Sequence, residues 1–380
     1  IKSHGDHTVN LNGKHLGTSR AEPHLGIIRN SQGTNTETVQ SRITSARKAI
    51  MSLLGAGLRG FNGTGPEVCS LQYKTYVLPT LLYGLEAVVL QSDEVAELDT
   101  YHRQNLRFMQ HMPKSTAIPA IHLMIGILPT KAMLDIRTLS LLRNILAVDV
   151  PSPPALFIRE LITRQLAMKG SESSSWSAHV KSLLSKYGLP SAAALIADPP
   201  SKGEWKKTIN EAVHGLWTKV LREEARDKSS LQLFNLESCS TDSVHPVWQN
   251  LSCPLAIKKA TVKAMLLTKR YPLSTSPTSG INQSDTCPLC KEDPETTTHF
   301  ILQCSKLSAT RLPYIRRIMD TCRNQKISVD LESITRIVLD STHLTSPVSN
   351  HEETCRNFLF KIHNKRAIML GGESSYILRH

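Results

Sequence analysis

Cysteines are scarce in this sequence, and long apolar runs are missing from it. Eight cysteines in 380 residues are too few for a small secreted scaffold held together by disulfides. No stretch reaches the roughly 18 consecutive apolar residues of a membrane span. The longest candidate, from Tyr76 to Leu90, is interrupted by Pro79, Gly84 and Glu86. We therefore expect no disulfide framework, no transmembrane helix and no membrane partner.

A secretory leader is also missing from the first residues. The chain begins with Ile1 rather than methionine. It shows none of the charged head, apolar stretch and cleavage site that mark a signal peptide. We expect an intracellular chain that acts in the nucleus and cytoplasm and that is part of a longer protein.

Positive charge is what the sequence has in excess. Lysine and arginine number 45 against 32 acidic residues, which gives a formal net charge of +13. Hydrophobic residues make up 40% and charged residues 20% of the chain, as in ordinary folded proteins. The charge predicts attraction to a polyanion. Charge alone does not distinguish nucleic acid from an anionic membrane, and phosphate is the partner that we expect.

Apolar residues recur at steps of three and four along much of the chain, which predicts a mainly helical fold. One such face belongs to a helix that begins near Thr38 and ends near Gly55 or Gly57, and it consists of Val39, Ile43, Ala46, Ile50 and Leu53. Short glycine-containing segments within residues 7–30 predict a small strand pair or the edge of a sheet instead. Further helices are expected from Pro66 to Leu90 with a bend at Pro79, from Ser92 to Pro113, from Thr130 to Asp149, from Pro154 to Lys169 and from Glu204 to Asp227.

The stretch TCPLCKEDPETTTHFILQC concentrates three of the eight cysteines and one histidine. Cys287, Cys290, His299 and Cys304 have the spacing C-x2-C-x8-H-x4-C, and sulfur and nitrogen ligands in this pattern are typical of tetrahedral Zn²⁺. Three thiolates and one imidazole fill all four positions around the ion, so the predicted zinc is structural rather than catalytic. The alternative is a chance grouping or a reduced cysteine pair in a core.

The other five cysteines are isolated in the sequence. We expect each of them to be a small buried residue. They are Cys69, Cys239, Cys253, Cys322 and Cys355.

Two long stretches of the sequence contain no aspartate or glutamate, and both carry cations. The stretch between Ser243 and Ser284 contains Lys258, Lys259, Lys263, Lys269 and Arg270, and the stretch from Thr100 to Leu134 contains Arg103, Arg107 and Lys114 with His102 and His111. Lys259 and Lys263 are one helical turn apart, where like charges repel unless an anion compensates. We expect the five cations of the first stretch, with Arg103 and Arg107, to contact nucleic-acid phosphates, which gives affinity without reading sequence. The alternative is ordinary solvated surface.

A third basic group lies near the end of the sequence. It consists of Arg356, Lys361, Lys365 and Arg366. The same two interpretations apply to it, namely contact with phosphate and ordinary solvated surface.

Three features, in this order along the chain, resemble the region downstream of the catalytic core in non-LTR (LINE-like) retrotransposon reverse transcriptases. The first is HLGIIRN at 24–30. The second is YVLPTLLYGLEAVVL at 76–90 with LRFMQHMPKSTAIPAIHLMIGILPTKAML at 106–134. The third is the cysteine–histidine cluster. The resemblance covers nearly the whole chain and is weakest from about 150 to 245.

The resemblance implies a division of the chain into five segments. Residues 1–35 would form the C-terminal edge of a reverse-transcriptase palm, and 36–150 a helical, thumb-like domain that includes Leu78, Pro79, Tyr83, Gly84 and Glu86. Residues 151–242 would form a helical connector, 243–345 the basic segment and zinc-binding region, and 346–380 a C-terminal basic helix. The implied fold is a mainly α, thumb-like bundle with a small β remnant at the N-terminus and a small zinc-binding module near the C-terminus.

The implied function is to hold template RNA and target DNA, mainly through phosphates, during target-primed reverse transcription. The family's polymerase uses Mg²⁺ held by palm aspartates, and this sequence has no Asp-Asp pair. Because two-metal phosphoryl transfer needs such carboxylates, we expect Mg²⁺ only in a catalytic core outside this sequence and no polymerase activity from this chain alone. The acids after Cys304 lack the arrangement of a restriction-like nuclease, so no nuclease is expected either.

Two alternatives belong to other classes of protein. One is a non-catalytic, zinc-binding nucleic-acid-binding module without a polymerase. The other is a zinc-stapled helical interaction protein whose charge is incidental. The sequence leaves open the preference between RNA and DNA, direct contact of the zinc region with bases, and the oligomeric state.

Overall fold

Helices with one buried apolar face make up most of the computed structural model, which describes residues 9–16, 20–59, 63–147, 152–168, 175–276 and 284–371. The predicted mainly helical fold is confirmed. The α-helices are α1 (Thr36–Leu53), α2 (Pro66–Gln72), α3 (Leu78–Leu82), α4 (Ser92–Gln110), α5 (Ile118–Ile125), α6 (Thr130–Leu146), α7 (Pro153–Ala167), α8 (Trp176–Lys186), α9 (Ala192–Ala197), α10 (Lys202–Arg226), α11 (Pro254–Leu267), α12 (Ser308–Asn324), α13 (Leu331–Leu339) and α14 (His351–Met369).

The predicted strands near the start of the chain form two antiparallel hairpins. Strand β1 (Val9–Leu11) pairs with β2 (Lys14–Leu16), and β3 (Ala21–His24) pairs with β4 (Ile27–Asn30). Leu25 and Gly26 connect β3 to β4, and both have positive φ angles, of 49° and 84°. Positive φ at both central residues is the geometry of a tight two-residue hairpin turn.

The described helices belong to two compact units that alternate along the chain. The first consists of Ile1–Met51, Lys74–Tyr101 and Thr130–Val213, and the second of Ser52–Tyr73, His102–Pro129 and His214–His380. The five consecutive segments implied by the family resemblance follow a different division and stay a prediction.

Helix α6 organises the first unit, because polar side chains on it bind two neighbouring segments. Asp135, which is buried, accepts hydrogen bonds from Lys186 Nζ at 2.8 Å and from Tyr187 Oη at 2.5 Å. Arg137 forms an ion pair with Glu86 at 3.0 Å. Glu86, a residue of the sequence motif at 76–90, therefore has a structural partner in this unit.

Helix α11 forms the centre of the second unit. Its residues from Ala260 to Leu267 are all buried. After the helix ends, the chain brings Tyr271 to α14, where its hydroxyl is 2.8 Å from His363 Nδ1. Trp248 is also fully buried, and its indole N–H donates to Gln110 Oε1 at 3.0 Å. The Tyr271 ring also stacks on Phe300, next to His299 of the cysteine–histidine cluster, with ring centroids 5.4 Å apart.

Several helix boundaries differ from those predicted. The region around Pro79 contains a π-helical turn, Tyr73–Val77, after which Pro79 lies in the first turn of α3, where its missing N–H costs nothing. Helix α10 begins two residues before the predicted start, and a reciprocal bond pair between Ser201 and Glu204 caps it. The predicted ends at Asp149 and Lys169 lie outside the described residues.

Several of the described helices were not predicted, among them the buried helix α5. Helix α5 has the sequence IPAIHLMI, and all of its residues after Ile118 are buried. A helix that is apolar on every side shows no alternation of apolar and polar faces, so the periodicity that predicted helices such as α1 and α10 was absent from this segment.

Among the described helices, none is by itself long and apolar enough to cross a membrane. Only α5 and α6 taken together, as a bent pair, reach the required length and hydropathy.

Candidate metal centre and basic surface

The first two cysteines of the cluster lie in a tight turn between two short extended segments. Thr286 and Pro294 form an antiparallel bridge, and the Cys287 N–H donates to the Asp293 carbonyl at 2.8 Å. Lys291 closes the turn with a φ of 60° and donates its N–H to the Cys287 carbonyl at 2.9 Å. This backbone arrangement places the sulfurs of Cys287 and Cys290 on the same side of the turn.

The other two residues of the cluster come from a π-helical turn, His299–Gln303. In a π-helix the bond joins residues five apart, and here the Cys304 N–H donates to the His299 carbonyl at 2.8 Å. Arg311, a buried side chain of α12, donates to the carbonyls of Ile301 and Cys304 at 2.8 Å each. The guanidinium therefore fixes the turn that presents Cys304.

The four side chains converge on one point. One ligand atom from each of Cys287, Cys290, His299 and Cys304 lies within 4.8 Å of the others, so the cluster can hold a metal ion. The sulfurs of Cys287 and Cys304 are 3.8 Å apart, and Cys290 Sγ is 3.4 Å from His299 Nε2. Tetrahedral zinc with bonds of about 2.3 Å to sulfur and 2.0 Å to nitrogen would separate these pairs by roughly 3.8 and 3.5 Å. The spacing is consistent with such an ion.

Backbone N–H groups also surround the sulfurs. The N–H groups of Leu289 and Cys290 point at Cys287 Sγ, and the Lys306 N–H points at Cys304 Sγ. Burial nevertheless raises the pKa of Cys287, and it raises that of Cys304 to about 12. Because neighbouring thiolates repel one another, keeping both sulfurs ionised requires the positive charge of a bound cation.

Cys290 differs from the other two cysteines. Burial acts to raise its pKa, but the N–H groups of Glu292 and Asp293 outweigh that effect and lower it. Cys290 is half-buried, whereas the other three members of the cluster are at most 3% exposed. Asp293 also lies 3.8 Å from His299 Nδ1, on the side of the ring away from the sulfurs. At that separation the carboxylate is beyond hydrogen-bond distance, and Nδ1 makes no hydrogen bond within the described part of the chain.

The loop between Cys290 and His299 is attached to α14 through Glu295. This glutamate is fully buried, and its carboxylate accepts hydrogen bonds from Arg366 Nε at 2.7 Å and Nη2 at 3.0 Å. It also accepts from the N–H of Ser274 at 2.8 Å and from its hydroxyl at 3.0 Å. The Glu295 carboxylate thus anchors the loop of the cluster to α14 within the second unit.

The predicted phosphate contacts on α11 divide into exposed and buried side chains. Lys258 and Lys259 are half-exposed. Lys263 is fully buried, and its ammonium lies 2.7 Å from Glu352, which corrects the expectation that it shares a charged surface with Lys259. The carboxylate of Glu352, and not a phosphate, therefore compensates the positive charge of Lys263 and the repulsion expected between Lys259 and Lys263.

The remaining members of that stretch lie just after α11. Lys269 and Arg270 are half-buried. Lys269 Nζ donates to the Ser229 carbonyl at 2.8 Å and to Gln232 at 3.2 Å, and burial lowers its pKa. Lys269 is thus partly engaged in local structure.

Arginines of the other two basic groups also have internal roles. Arg103 and Arg107 on α4 are both half-buried, and Arg107 donates to the Thr116 carbonyl at 3.0 Å. Arg356 and Arg366 are buried and bind Glu352 and Glu295, which corrects both interpretations, phosphate contact and solvated surface, for these two. Lys361 and Lys365 are exposed.

A further basic surface was missed in the sequence. Lys306, Arg316, Arg317 and Lys326 are exposed on or beside α12. Between Ser305 and Lys326 the only acidic residue is Asp320, which pairs with Arg323 at 2.9 Å. The low acid content directly after the last cysteine of the cluster was the available signal.

Four of the five isolated cysteines are buried as predicted. Cys253 is exposed, which corrects the prediction for that residue. It directly precedes Pro254 at the start of α11, where the chain enters from the surface.

The buried side chain of His102 should make the free energy of unfolding depend on pH. Its Nε2 donates to the Leu128 carbonyl at 3.1 Å and its Nδ1 accepts from Tyr73 Oη at 2.9 Å, and burial lowers its pKa well below the ordinary value. The unfolded chain takes up a proton below about pH 6.5 while the folded chain does not. The free energy of unfolding should therefore stay level above that pH and fall below it, by at most about 1.4 kcal/mol per pH unit for each such histidine.

Urea unfolding at pH 7.5, 6.5 and 5.5 measures this dependence. His102→Gln should reduce the slope without abolishing it, because burial also lowers the pKa of His111, to about 4, and those of His179 and His351. An unchanged slope in the variant would contradict the assignment to His102.

Comparison with known proteins identified no relative of this chain. No family model, no curated protein and no solved structure matches the chain. The resemblance to retrotransposon reverse transcriptases therefore depends on the three sequence features alone, and the metal centre and the exposed cations are the structural features available for assigning a function.

Proposed function

We propose that this chain serves a LINE-type reverse transcriptase as a thumb-like and zinc-binding part that holds template RNA and target DNA by their phosphates. The observation that carries the proposal is the convergence of Cys287, Cys290, His299 and Cys304 within 4.8 Å in a chain of net charge +13. The ordered motifs at 24–30, 76–90 and 106–134 support the choice of family.

The proposed ion is Zn²⁺, and its role is structural. Three thiolates and one imidazole complete a tetrahedral shell and leave no position for substrate. When bound, the ion joins the turn at Cys287 and Cys290 to the helical turn at His299 and Cys304. Glu295 and Arg311 connect that joined segment to α14 and α12.

The proposed phosphate contacts are the exposed and half-exposed cations of the second unit. They include Lys258 and Lys259 from the acid-free stretch and Lys306, Arg316 and Arg317 beside the metal centre. Such contacts release counterions from the nucleic acid, so affinity depends strongly on salt and little on sequence. No catalytic step is assigned to these residues, because Mg²⁺-dependent synthesis needs paired carboxylates that we place outside this sequence.

Reversing the charge of two lysines tests the phosphate contacts. Lys258→Glu with Lys259→Glu should weaken binding of unrelated single-stranded RNAs to a similar extent, by at least about tenfold at low salt. The slope of log affinity against log salt should become shallower by about two. Filter-binding titrations between low and physiological salt measure both quantities.

A matched control has the same change of charge elsewhere. Lys206 and Lys207 are adjacent, exposed lysines on α10, and Lys206→Glu with Lys207→Glu should leave the salt slope nearly unchanged. A loss confined to one RNA sequence would contradict backbone contacts. Wild-type affinity that does not fall as salt rises would favour the alternative of a zinc-stapled interaction protein.

The coding sequence upstream of Ile1 separates the polymerase assignment from a module without a polymerase. An open frame with an Asp-Asp palm motif supports the proposed family. Stop codons or an unrelated domain would contradict it and leave the binding module as the better description.

A further inference from the structure

A polar cavity of about 310 Å³ lies in the second unit at the start of α11 and of α14. Its volume is at the lower end of the range for small-molecule sites, roughly 300 to 1,000 Å³. Polar residues dominate its lining, including Asn250, Ser252, Lys259, Asn350, Glu353 and Asn357. The sequence pointed only to Lys259 among these.

Part of the cavity wall is a buried ionic network that holds its shape. Glu352 binds Lys263 at 2.7 Å and Arg356 at 3.2 Å. Burial acts to raise the pKa of Glu352, but these two cations outweigh it and lower the pKa to about 2. Arg356 also donates to the carbonyls of Pro246 and Gln249, at 2.5 and 3.1 Å. This part of the wall is therefore saturated with internal hydrogen bonds.

The Gln249 side chain, also in the lining, donates to the Val244 carbonyl at 2.5 Å, whereas the six polar side chains named above are unengaged. Within the described part of the chain, none of the six side chains listed above makes a hydrogen bond or an ion pair with another residue. Three of them are amides, each of which offers both donors and an acceptor, and one is an ammonium. The cavity thus combines a fixed wall with free polar groups of both kinds.

We propose that this cavity binds a single unpaired nucleotide, and this inference rests on the proposed function because the nucleotide would belong to the bound strand. Nucleobase edges present donors and acceptors together, which suits amide side chains and the carboxylate of Glu353. The ammonium of Lys259 suits the phosphate as a compact positive charge. An apolar ligand fits poorly, because it would remove water from the amides without replacing their hydrogen bonds.

Calorimetric titrations of the full chain with adenosine 5′-monophosphate, adenosine and inorganic phosphate test the proposal. We expect the monophosphate to bind at one site per chain and about tenfold more tightly than adenosine, because only the monophosphate reaches Lys259. Lys259→Ala should reduce monophosphate affinity to the level of adenosine and leave adenosine binding unchanged. Asn357→Ala should weaken both ligands, by about fivefold to tenfold.

Asn324→Ala is the matched control, since Asn324 is an exposed amide at the end of α12 that does not line the cavity. It should bind both ligands like the wild type, and thermal unfolding should show that all variants are folded. No binding of the monophosphate at millimolar concentration, or binding that neither Lys259→Ala nor Asn357→Ala weakens, would overturn the proposal.

The two proposals fail in distinguishable ways. A chain that binds RNA with the expected salt dependence but binds no mononucleotide would overturn only the cavity assignment. A chain that binds the monophosphate through Lys259 and Asn357 but binds no RNA would overturn only the proposed function.

Discussion

Replacing Cys287 or Cys304 by serine is expected to release the zinc and to unfold the second unit around it. Apparent binding free energies of structural zinc in small peptides are about 10–16 kcal/mol, which is comparable to the roughly 5–15 kcal/mol stability of a whole domain. Both cysteines are at most 1% exposed, so a serine hydroxyl there is a poor ligand in a closed site. Elemental analysis should give one zinc per wild-type chain and near zero for each variant, with a lower thermal midpoint.

Cys253→Ser is the control for loss of a thiol alone. Cys253 is exposed and lies outside the cluster, so this variant should keep its zinc and its thermal midpoint. Adding a chelator should lower the midpoint of the wild type and of Cys253→Ser alike. Wild-type protein that is metal-free after purification and insensitive to chelator would contradict the metal assignment.

The metal cluster could be predicted from the sequence because its geometry is mostly local. A gap of two residues between Cys287 and Cys290 fits one turn, and His299 and Cys304 join one π-helical turn. All four ligands therefore come from an 18-residue stretch, and no long-range packing is needed to bring them together. The same locality explains why the helix with buried Val39, Ile43 and Ala46 was placed correctly.

Which of the cations are exposed and which are buried in ion pairs could not be predicted in the same way. Lys263 and Arg356 are buried because Glu352, distant from Lys263 in sequence, meets both of them. A stretch of sequence without acidic residues does not show which acidic residues the fold brings close to it from elsewhere in the chain. Lys259 lies one turn before Lys263 on α11, yet Lys259 is half-exposed and Lys263 is fully buried, because burial depends on what packs around each turn of the helix.

Glu295→Gln is expected to destabilise the second unit by about 3–5 kcal/mol, which is the usual cost of removing one partner from a buried ion pair. The Glu295 carboxylate accepts four hydrogen bonds, two from Arg366 and two from Ser274. A glutamine amide would point its NH₂ group at one of these donors and would leave the Arg366 guanidinium buried without a counter-charge. Urea unfolding should show the loss, and hydrogen exchange should show faster opening of the last turns of α14.

Glu332→Gln provides the comparison, since Glu332 pairs with Arg336 at 2.7 Å on an exposed face of α13. Loss of an exposed pair within one helix typically costs less than about 1 kcal/mol. Because Glu295 lies between Cys290 and His299, its replacement should also make the zinc easier to remove with a chelator, whereas Glu332→Gln should not. Equal stability losses in the two variants, or unchanged zinc retention in Glu295→Gln, would show that the loop between the ligands is not anchored to α14 through this carboxylate.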